Sequence, residues 1–248
     1  MIINGKKISE KILSEVRKKI GRDNLRLKLA VVLVGDDYAS NAYVDRKKIA
    51  CEKVGIDFEL FNFSFDISQE DLKNKIKEIA GKKDVTGIIV QLPLPEKFNT
   101  QDVLDIISDN KNAEFISPVV SAVEKIFKEY NISLKNKKIV LIGRGKLVGR
   151  PLADWLSKNN LEFFGIEEIK TADIVISGVG DSGLISGDMI KKGAVVIDIG
   201  FSLDKNKKAV GDVDFDSVSK KASYITPVPG GVGPITVACL LENLLKLK

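Results

Sequence analysis

Residues 27–35, Leu-Lys-Leu-Ala-Val-Val-Leu-Val-Gly, and residues 138–143, Lys-Ile-Val-Leu-Ile-Gly, decide the fold. Each is a short, nearly unbroken apolar run that stops at a glycine, and a helical pattern follows, over 40–54 in the first case and 149–159 in the second. Unbroken apolar strands that alternate with helices belong to parallel sheets covered on both faces. Working outward, the spacing predicts a helix over 9–20 ahead of the first strand. After Gly55, placed as a helix stop, come a strand over 58–63 and a helix over 68–81 with Ser68 as N-cap. A strand over 85–91 then meets the stiff turn Leu92-Pro93-Leu94-Pro95, and a short helix covers 100–108. A second unit begins near residue 118 with a helix over 119–129. Strands over 138–142, 161–166, 172–177 and 194–199 follow, and a last helix covers about 235–247, after the loop Thr226–Pro234. The expected architecture is α/β, with two lobes and a cleft between them. No internal repeat or low-complexity segment interrupts it.

Composition narrows the function. The 248 residues are 44% hydrophobic and 29% charged, an ordinary globular balance with enough apolar content for a sizeable core. No run of about 18 apolar residues suits a membrane span. Met1 to Ile20 mixes Lys and Glu with apolar residues and lacks the apolar stretch of a signal peptide, so a cytoplasmic protein is expected. Cys51 and Cys239 form no CxxC pair, which argues for a reducing compartment. Net charge is +5, but the lysines are scattered and not interleaved with aromatic residues, so nucleic acid is not the expected partner. The basic surface also suits a polyanionic small ligand. There is no histidine, which removes the commonest general base and metal ligand, and no metal site is expected. Catalysis must use Lys, Tyr, Asp, Glu or backbone groups.

Four stretches carry chemistry. In Gly35-Asp-Asp-Tyr-Ala-Ser40-Asn-Ala-Tyr43-Val-Asp-Arg-Lys47, Tyr43 and Lys47 are four apart and share a helix face near the carboxyl edge of a sheet, where open α/β folds bind ligands. A lysine desolvated there loses its proton near neutral pH and acts as base or acid. Spacing alone favours the plainer reading, a surface lysine beside a packed tyrosine. In Gly87-Ile-Ile-Val-Gln91, the glutamine ends a strand at the same edge, either orienting Lys47 or only capping the strand. Gly143-Arg144-Gly145-Lys146-Leu-Val-Gly149-Arg150-Pro151 is a glycine loop between strand and helix. Its GxGxxxG spacing is equally met by a phosphate cradle or a tight turn with solvated charges. Thr226-Pro-Val-Pro-Gly-Gly-Val-Gly-Pro234 fixes an unusual backbone, better explained by close approach to a flat ligand than by a mere connector.

Together these stretches resemble the methylenetetrahydrofolate dehydrogenase/cyclohydrolase family. The resemblance covers most of the chain. It rests on Ser40, Tyr43 and Lys47, on GIIVQLPLP at 87–95 and on GRxxxVGxP at 143–151. It also rests on Ala172-Asp173-Ile174, Lys192–Asp198, Gly211-Asp212-Val213 and TPVPGGVGP at 226–234. It implies a folate-binding αβα lobe, residues 1–116 with 235–248, and a Rossmann-like NAD(P)-binding lobe, residues 117–234. It implies a homodimer that oxidises 5,10-methylenetetrahydrofolate with NADP or NAD and hydrolyses the product. Carried over, Lys47 is the catalytic base or acid, Gln91 positions it, and Tyr43 packs on the folate rings. Ser40, Leu92, Pro93, Glu114, Gly231, Pro234 and Thr236 complete the substrate site. Gly143, Arg144, Gly145, Lys146, Val148, Gly149 and Pro151 would hold the dinucleotide, with Gly178, Val179, Gly180 and Gly200.

The chain departs from the family at three places. The Asp-Val-Asp-Gly stretch, whose aspartate holds the pterin, is replaced by Lys111-Asn112-Ala113-Glu114-Phe115, with Glu114 as the nearby acid. Gly145 stands where the family has serine. The His-Ser-Arg-Thr-like stretch that meets the cofactor's phosphate is absent, and the chain runs from Phe164 through Glu167 to Asp173. Glu167 lies 18 residues past Gly149, near where an acid binds the ribose diol in NAD folds, and a carboxylate there repels a 2′-phosphate. Two other readings follow from these departures: a cyclohydrolase with a vestigial dinucleotide site, and a non-catalytic paralogue that binds folate or a protein.

Overall fold

A computed structural model describes residues 1–248. The chain forms two compact units, one of Lys11–Ile116 with Val237–Lys248 and one of Met1–Glu10 with Ser117–Thr236. The first ten residues, read from sequence with the N-terminal lobe, group with the second unit. There Ile2 bridges Ile225, the Ile3 amide donates to the Ile225 carbonyl at 2.8 Å, and the Ile225 amide donates to the Met1 carbonyl at 3.1 Å.

Helix α1 (Gly5–Arg22) leads into a three-stranded parallel sheet. Strand β1 (Lys28–Val34) is its centre, and six of its seven residues are buried, as an unbroken apolar run requires. Helix α2 (Tyr38–Val54) follows, capped by the Asp37 carboxylate on the Ser40 amide and closed by Gly55 at φ +80°. Strand β2 (Asp57–Phe63) is an edge strand, and Phe61 and Phe63 turn to the core. Helix α3 (Gln69–Gly81) has Ser68 as N-cap, accepting from the Asp71 amide at 3.1 Å. Strand β3 (Gly87–Val90) returns to the other side of β1, and helix α4 (Thr100–Leu104) is only five residues long. The chain therefore goes from β1 outward to β2 and then back past β1 to β3. The carboxyl ends of β1 and β3 thus form a switch point, the usual ligand position in such sheets. Leu72, Ile76, Ile88, Val90 and Val103 pack the core behind it.

The second unit repeats this logic on a larger scale. Helix α5 (Pro118–Glu129) precedes strand β4 (Ile139–Ile142). Helix α6 (Gly149–Lys158), strand β5 (Phe163–Phe164) and a short 3₁₀ turn over Ile166–Thr171 follow. Strands β6 (Ile174–Ser177) and β7 (Val195–Asp198) come next, then a small antiparallel hairpin of β8 (Ser202–Leu203) and β9 (Ala209–Val210). Helix α7 (Phe215–Val218), strand β10 (Tyr224–Ile225) and helix α8 (Val232–Leu244) end the chain. The sheet order is β10-β7-β6-β4-β5 with every pairing parallel. The apolar runs IVLI, IVIS and VVID are central and wholly buried. Its switch point lies between β4 and β6, where Gly143 and Gly178 stand.

Three sequence expectations need correction. The strand read over 161–166 shrinks to two residues, because Gly165 turns the chain into the 3₁₀ segment. The hairpin β8–β9 and strand β10 were not expected, since two-residue strands carry no periodicity. The last helix begins at Val232, not 235, so Pro234 and Thr236 lie inside it. Proline fits there because first-turn amides need no intrahelical acceptor.

Candidate active site and dinucleotide cradle

Lys47 sits in the third turn of α2, and side chains of a helix lean toward its amino end, so its amine reaches back to the switch point between β1 and β3. There Nζ donates to Gln91 Oε1 at 2.5 Å. Gln91 follows β3 directly. Its own amide donates to the Val32 carbonyl at 2.8 Å, which extends the ladder by one residue. Its Nε2 donates to the Leu92 carbonyl at 2.6 Å, so the amide can turn only its oxygen to the lysine. Gln91 is buried and Lys47 half-buried. Burial pulls the Lys47 amine below the ordinary lysine range, and the Glu114 carboxylate opposes that pull. Burial in turn pushes Glu114 above the ordinary carboxylate range, with Lys47 opposing. Each group thus lies nearer to its neutral form than it would in water. Cys51, one turn beyond Lys47, is pushed up to about 12 by burial and is an inert thiol wall.

Glu114 reaches this place because its segment is fastened on both sides. The Ile88 amide donates to the Lys111 carbonyl at 2.8 Å, and the Ala113 amide donates to the Ile88 carbonyl at 3.1 Å. Asn243 of α8, itself buried, donates to the carbonyls of Ala113 at 3.0 Å and Ile116 at 2.8 Å, bracketing the acid. A methyl carbon at Gly87 would meet Leu244 Cδ2 at 2.5 Å, which shows how closely this helix packs on β3. Tyr43 is half-buried on the Lys47 face, with the Arg46 guanidinium 5.2 Å from its ring centre. Ser40 is buried at the start of α2, and Leu92 and Pro93 form the turn after Gln91 through a cis bond.

In the other unit the glycine loop is bare backbone. Gly143 has φ +99°, and a methyl carbon on Gly149 would lie 2.1 Å from the Gly143 carbonyl oxygen. Val148, the residue before α6, supplies no side-chain cap, so the amides of that helix end are not taken by a cap side chain. Arg144, Gly145 and Lys146 are exposed, and the Arg144 guanidinium lies 4.8 Å from the Phe163 ring centre. Pro151 sits in the first turn of α6. Gly178, Val179 and Gly180 follow β6, and Gly200 follows β7, all at the carboxyl edge of the sheet. Glu167 is exposed just beyond β5, and its carboxylate accepts from the Gly165 amide at 3.1 Å. In the loop Thr226–Pro234, the close approach at Gly231 is to the chain itself. A methyl carbon there would meet the Pro227 carbonyl oxygen at 2.5 Å, and one on Gly5 would meet the Gly231 carbonyl oxygen at 1.8 Å.

Family comparison gives this arrangement its identity. A model described as the tetrahydrofolate dehydrogenase/cyclohydrolase catalytic domain matches residues 3–114, and the NAD(P)-binding domain of the same family matches residues 117–248. The chain belongs to the tetrahydrofolate dehydrogenase/cyclohydrolase family. It is 41% identical to the bifunctional protein FolD of Nautilia profundicola, covering 99% of this chain and 96% of that protein. Among solved structures, the bifunctional FolD enzyme of Campylobacter jejuni matches with TM-score 0.92 at 36% identity, covering 100% and 98% of the two chains. The FolD enzyme of Trypanosoma brucei, a complex with NADP and an inhibitor, matches with TM-score 0.93 at 29% identity, covering 100% and 96%.

The residues present fit an NAD(P) group. Glycine backbone that excludes any side chain, beside a helix start with no side-chain cap, suits the close approach of a pyrophosphate. No group of three or more His, Cys, Asp or Glu residues is placed to hold a metal ion, and no helix is long and apolar enough to cross a membrane. Sequence reading missed Asn243, a buried amide next to Glu242 near the end of a largely apolar helix. Asp198 and Asp212 stand in the stretches Lys192–Asp198 and Gly211-Asp212-Val213 that carry the resemblance, but sequence reading assigned them no role, and their burial appears only in the structure.

Proposed function

We propose that this family member oxidises 5,10-methylenetetrahydrofolate to the 5,10-methenyl compound with NAD(P) and hydrolyses that product to 10-formyltetrahydrofolate. One observation carries the reading: a lysine depressed by burial donates at 2.5 Å to a glutamine that can present only its oxygen. Lys47 in its neutral form accepts a proton from water as the water oxygen bonds to the bridging carbon. The carbon–N5 bond then breaks, the proton passes from Lys47 to N5, and one proton is released overall. Gln91 fixes where the amine points. Glu114 binds the pterin edge in place of the family's aspartate, its raised affinity for a proton suiting it to a hydrogen bond with the ring. Tyr43 stacks on the rings. Ser40, Leu92, Pro93, Gly231, Pro234 and Thr236 join them by family resemblance.

A dinucleotide, when bound, would supply the hydride acceptor for the methylene carbon. The chain's part is to hold it, through the glycine loop 143–149 with Arg144, Lys146 and Val148, by Pro151 at the start of α6, and through Gly178, Val179, Gly180 and Gly200. Residues 1–116 with 235–248 serve as the folate domain and 117–234 as the dinucleotide domain. A homodimer in the cytoplasm is part of the same reading, supported by the family resemblance.

Absorbance of the methenyl compound tests it in two assays. Disappearance of added methenyl compound above the uncatalysed rate, and its formation from the methylene compound with NAD or NADP, are both expected. Hydrolysis alone would leave a cyclohydrolase, and the absence of both activities would overturn the proposal.

A further inference from the structure

Two buried carboxylates of the five-stranded unit, Asp198 and Asp212, have no part in the chemistry above, yet they hold more backbone than any other side chains here. Asp212 is wholly buried. Its Oδ2 accepts from Ser177 Oγ at 2.6 Å and from the Val179 amide at 2.8 Å. Its Oδ1 accepts from the amides of Gly180 at 2.8 Å and Asp181 at 2.9 Å. Three successive amides of the loop after β6 therefore converge on one carboxylate, an arrangement that backbone otherwise offers to a free anion. Asp198 ends β7 opposite Ser177. It accepts from the amides of Gly200 at 2.9 Å, Asp212 at 3.1 Å and Val213 at 3.0 Å. Asp212 is thus seated by Asp198.

The carboxylates lie directly on glycine backbone. A methyl carbon on Gly200 would be 2.0 Å from Asp212 Oδ1, and one on Gly211 would be 2.0 Å from Asp198 Oδ2. The clamped loop in turn forms a wall of the glycine loop. A methyl carbon on Gly143 would meet the Gly178 carbonyl oxygen at 2.9 Å and Val179 Cγ2 at 3.3 Å, and one on Gly178 would meet Val148 Cγ1 at 2.3 Å. A continuous series of contacts therefore runs from Asp212 through residues 178–181 to residues 143–149. A support of this kind orients the groups that touch a ligand without touching it itself.

We propose that Asp212, seated by Asp198, is a positioning residue for the dinucleotide, acting through the loop Gly178–Asp181 on the glycine loop. The proposal rests on the dinucleotide reading above. The carboxylate supplies four acceptor positions where a neutral amide supplies two. Asp212→Asn keeps the size of the side chain but presents an NH₂ to Val179 and Ser177.

The test is calorimetric titration of wild type, Asp212→Asn and Ser177→Ala with NAD and NADP, alongside hydrolysis of the methenyl compound and thermal melting. Asp212→Asn is expected to melt cooperatively and to hydrolyse at the wild-type rate within about twofold, while its dinucleotide Kd rises about tenfold, the effect of orphaning one buried donor. A folded variant whose Kd is unchanged, or whose binding and hydrolysis fall together, would overturn the proposal. Should Asp212→Asn fail to fold, Ser177→Ala decides. A rise in Kd of about threefold with hydrolysis intact supports the clamp, and an unchanged Kd removes it. A wild-type protein that hydrolyses but binds neither dinucleotide would instead strike the dinucleotide reading itself, and this inference with it.

Discussion

Lys47→Met keeps an apolar stem of similar length and removes only the amine. Its expected effect is a loss of hydrolysis of about 10²–10⁴-fold, the usual worth of a positioned acid or base, with the melting temperature little changed. Hydrolysis at the wild-type rate would take Lys47 out of the mechanism. At Glu167 the argument concerns charge. Its carboxylate stands exposed just past β5, near the position where NAD folds place an acid on the ribose diol, and a carboxylate there would repel a 2′-phosphate. Glu167→Ser is expected to tighten NADP relative to NAD in competitive titrations, and an unchanged ratio of the two Kd values would end the repulsion argument. Both residues were candidates in the sequence, Lys47 through the family resemblance, since its spacing alone favours a surface lysine, and Glu167 through its distance past Gly149. The bond between Lys47 and Gln91 was not legible, because 44 residues separate them and only the return of β3 beside β1 brings them together.

At the scale of an element, the start of α6 is the most exacting. Gly149→Ala would place a methyl carbon 2.1 Å from the Gly143 carbonyl oxygen, so the loop must open. The expected result is a stability loss of about 1–3 kcal/mol in urea unfolding, typical of overpacking, together with lost dinucleotide binding. Hydrolysis is expected to survive, since Lys47, Gln91 and Glu114 belong to the other unit. Retained NAD(P) binding in this variant would show that the loop is not the cradle. The spacing GxGxxxG could not separate a phosphate cradle from a tight turn. The bare glycine backbone and the helix start without a side-chain cap support the cradle, and both are facts of packing that spacing does not carry; the binding measurement on this variant separates the two readings. Gly231 teaches the converse. A side chain there would meet Pro227 and Thr226, so this glycine is required by the packing of its own loop, whatever ligand lies beside it.

For the molecule as a whole, the buried Asp198 gives stability a signature in pH. Burial pushes its carboxyl up to about 7, and the neighbouring Asp212 adds to the shift, against the pull of three backbone amides. The unfolded chain releases this proton near the ordinary value of about 3.9. Between those values the folded state holds the proton more tightly than the unfolded state. The contribution is therefore complete below about 3.9 and is lost as pH rises through about 7, with a slope of at most about 1.4 kcal/mol per pH unit. Urea midpoints from pH 5 to 8 are expected to fall more steeply for wild type than for Asp198→Asn, and parallel slopes would contradict the shift. The sequence by itself determined the class of fold, because unbroken apolar strands between amphipathic helices can bury both faces only in parallel sheets. It also determined the family, since the stretches at 87–95, 143–151 and 226–234 are specific in order and content. Local signals such as Ser68 and Gly55 were legible too, because caps act within one turn. Only the tertiary structure decided that Glu114 faces Lys47, that Asn243 brackets that acid, and that Asp198 and Asp212 hold the loops of the dinucleotide edge. Each of these joins residues distant in the chain through strand order and burial, and no local pattern of residues encodes which strand will lie beside which.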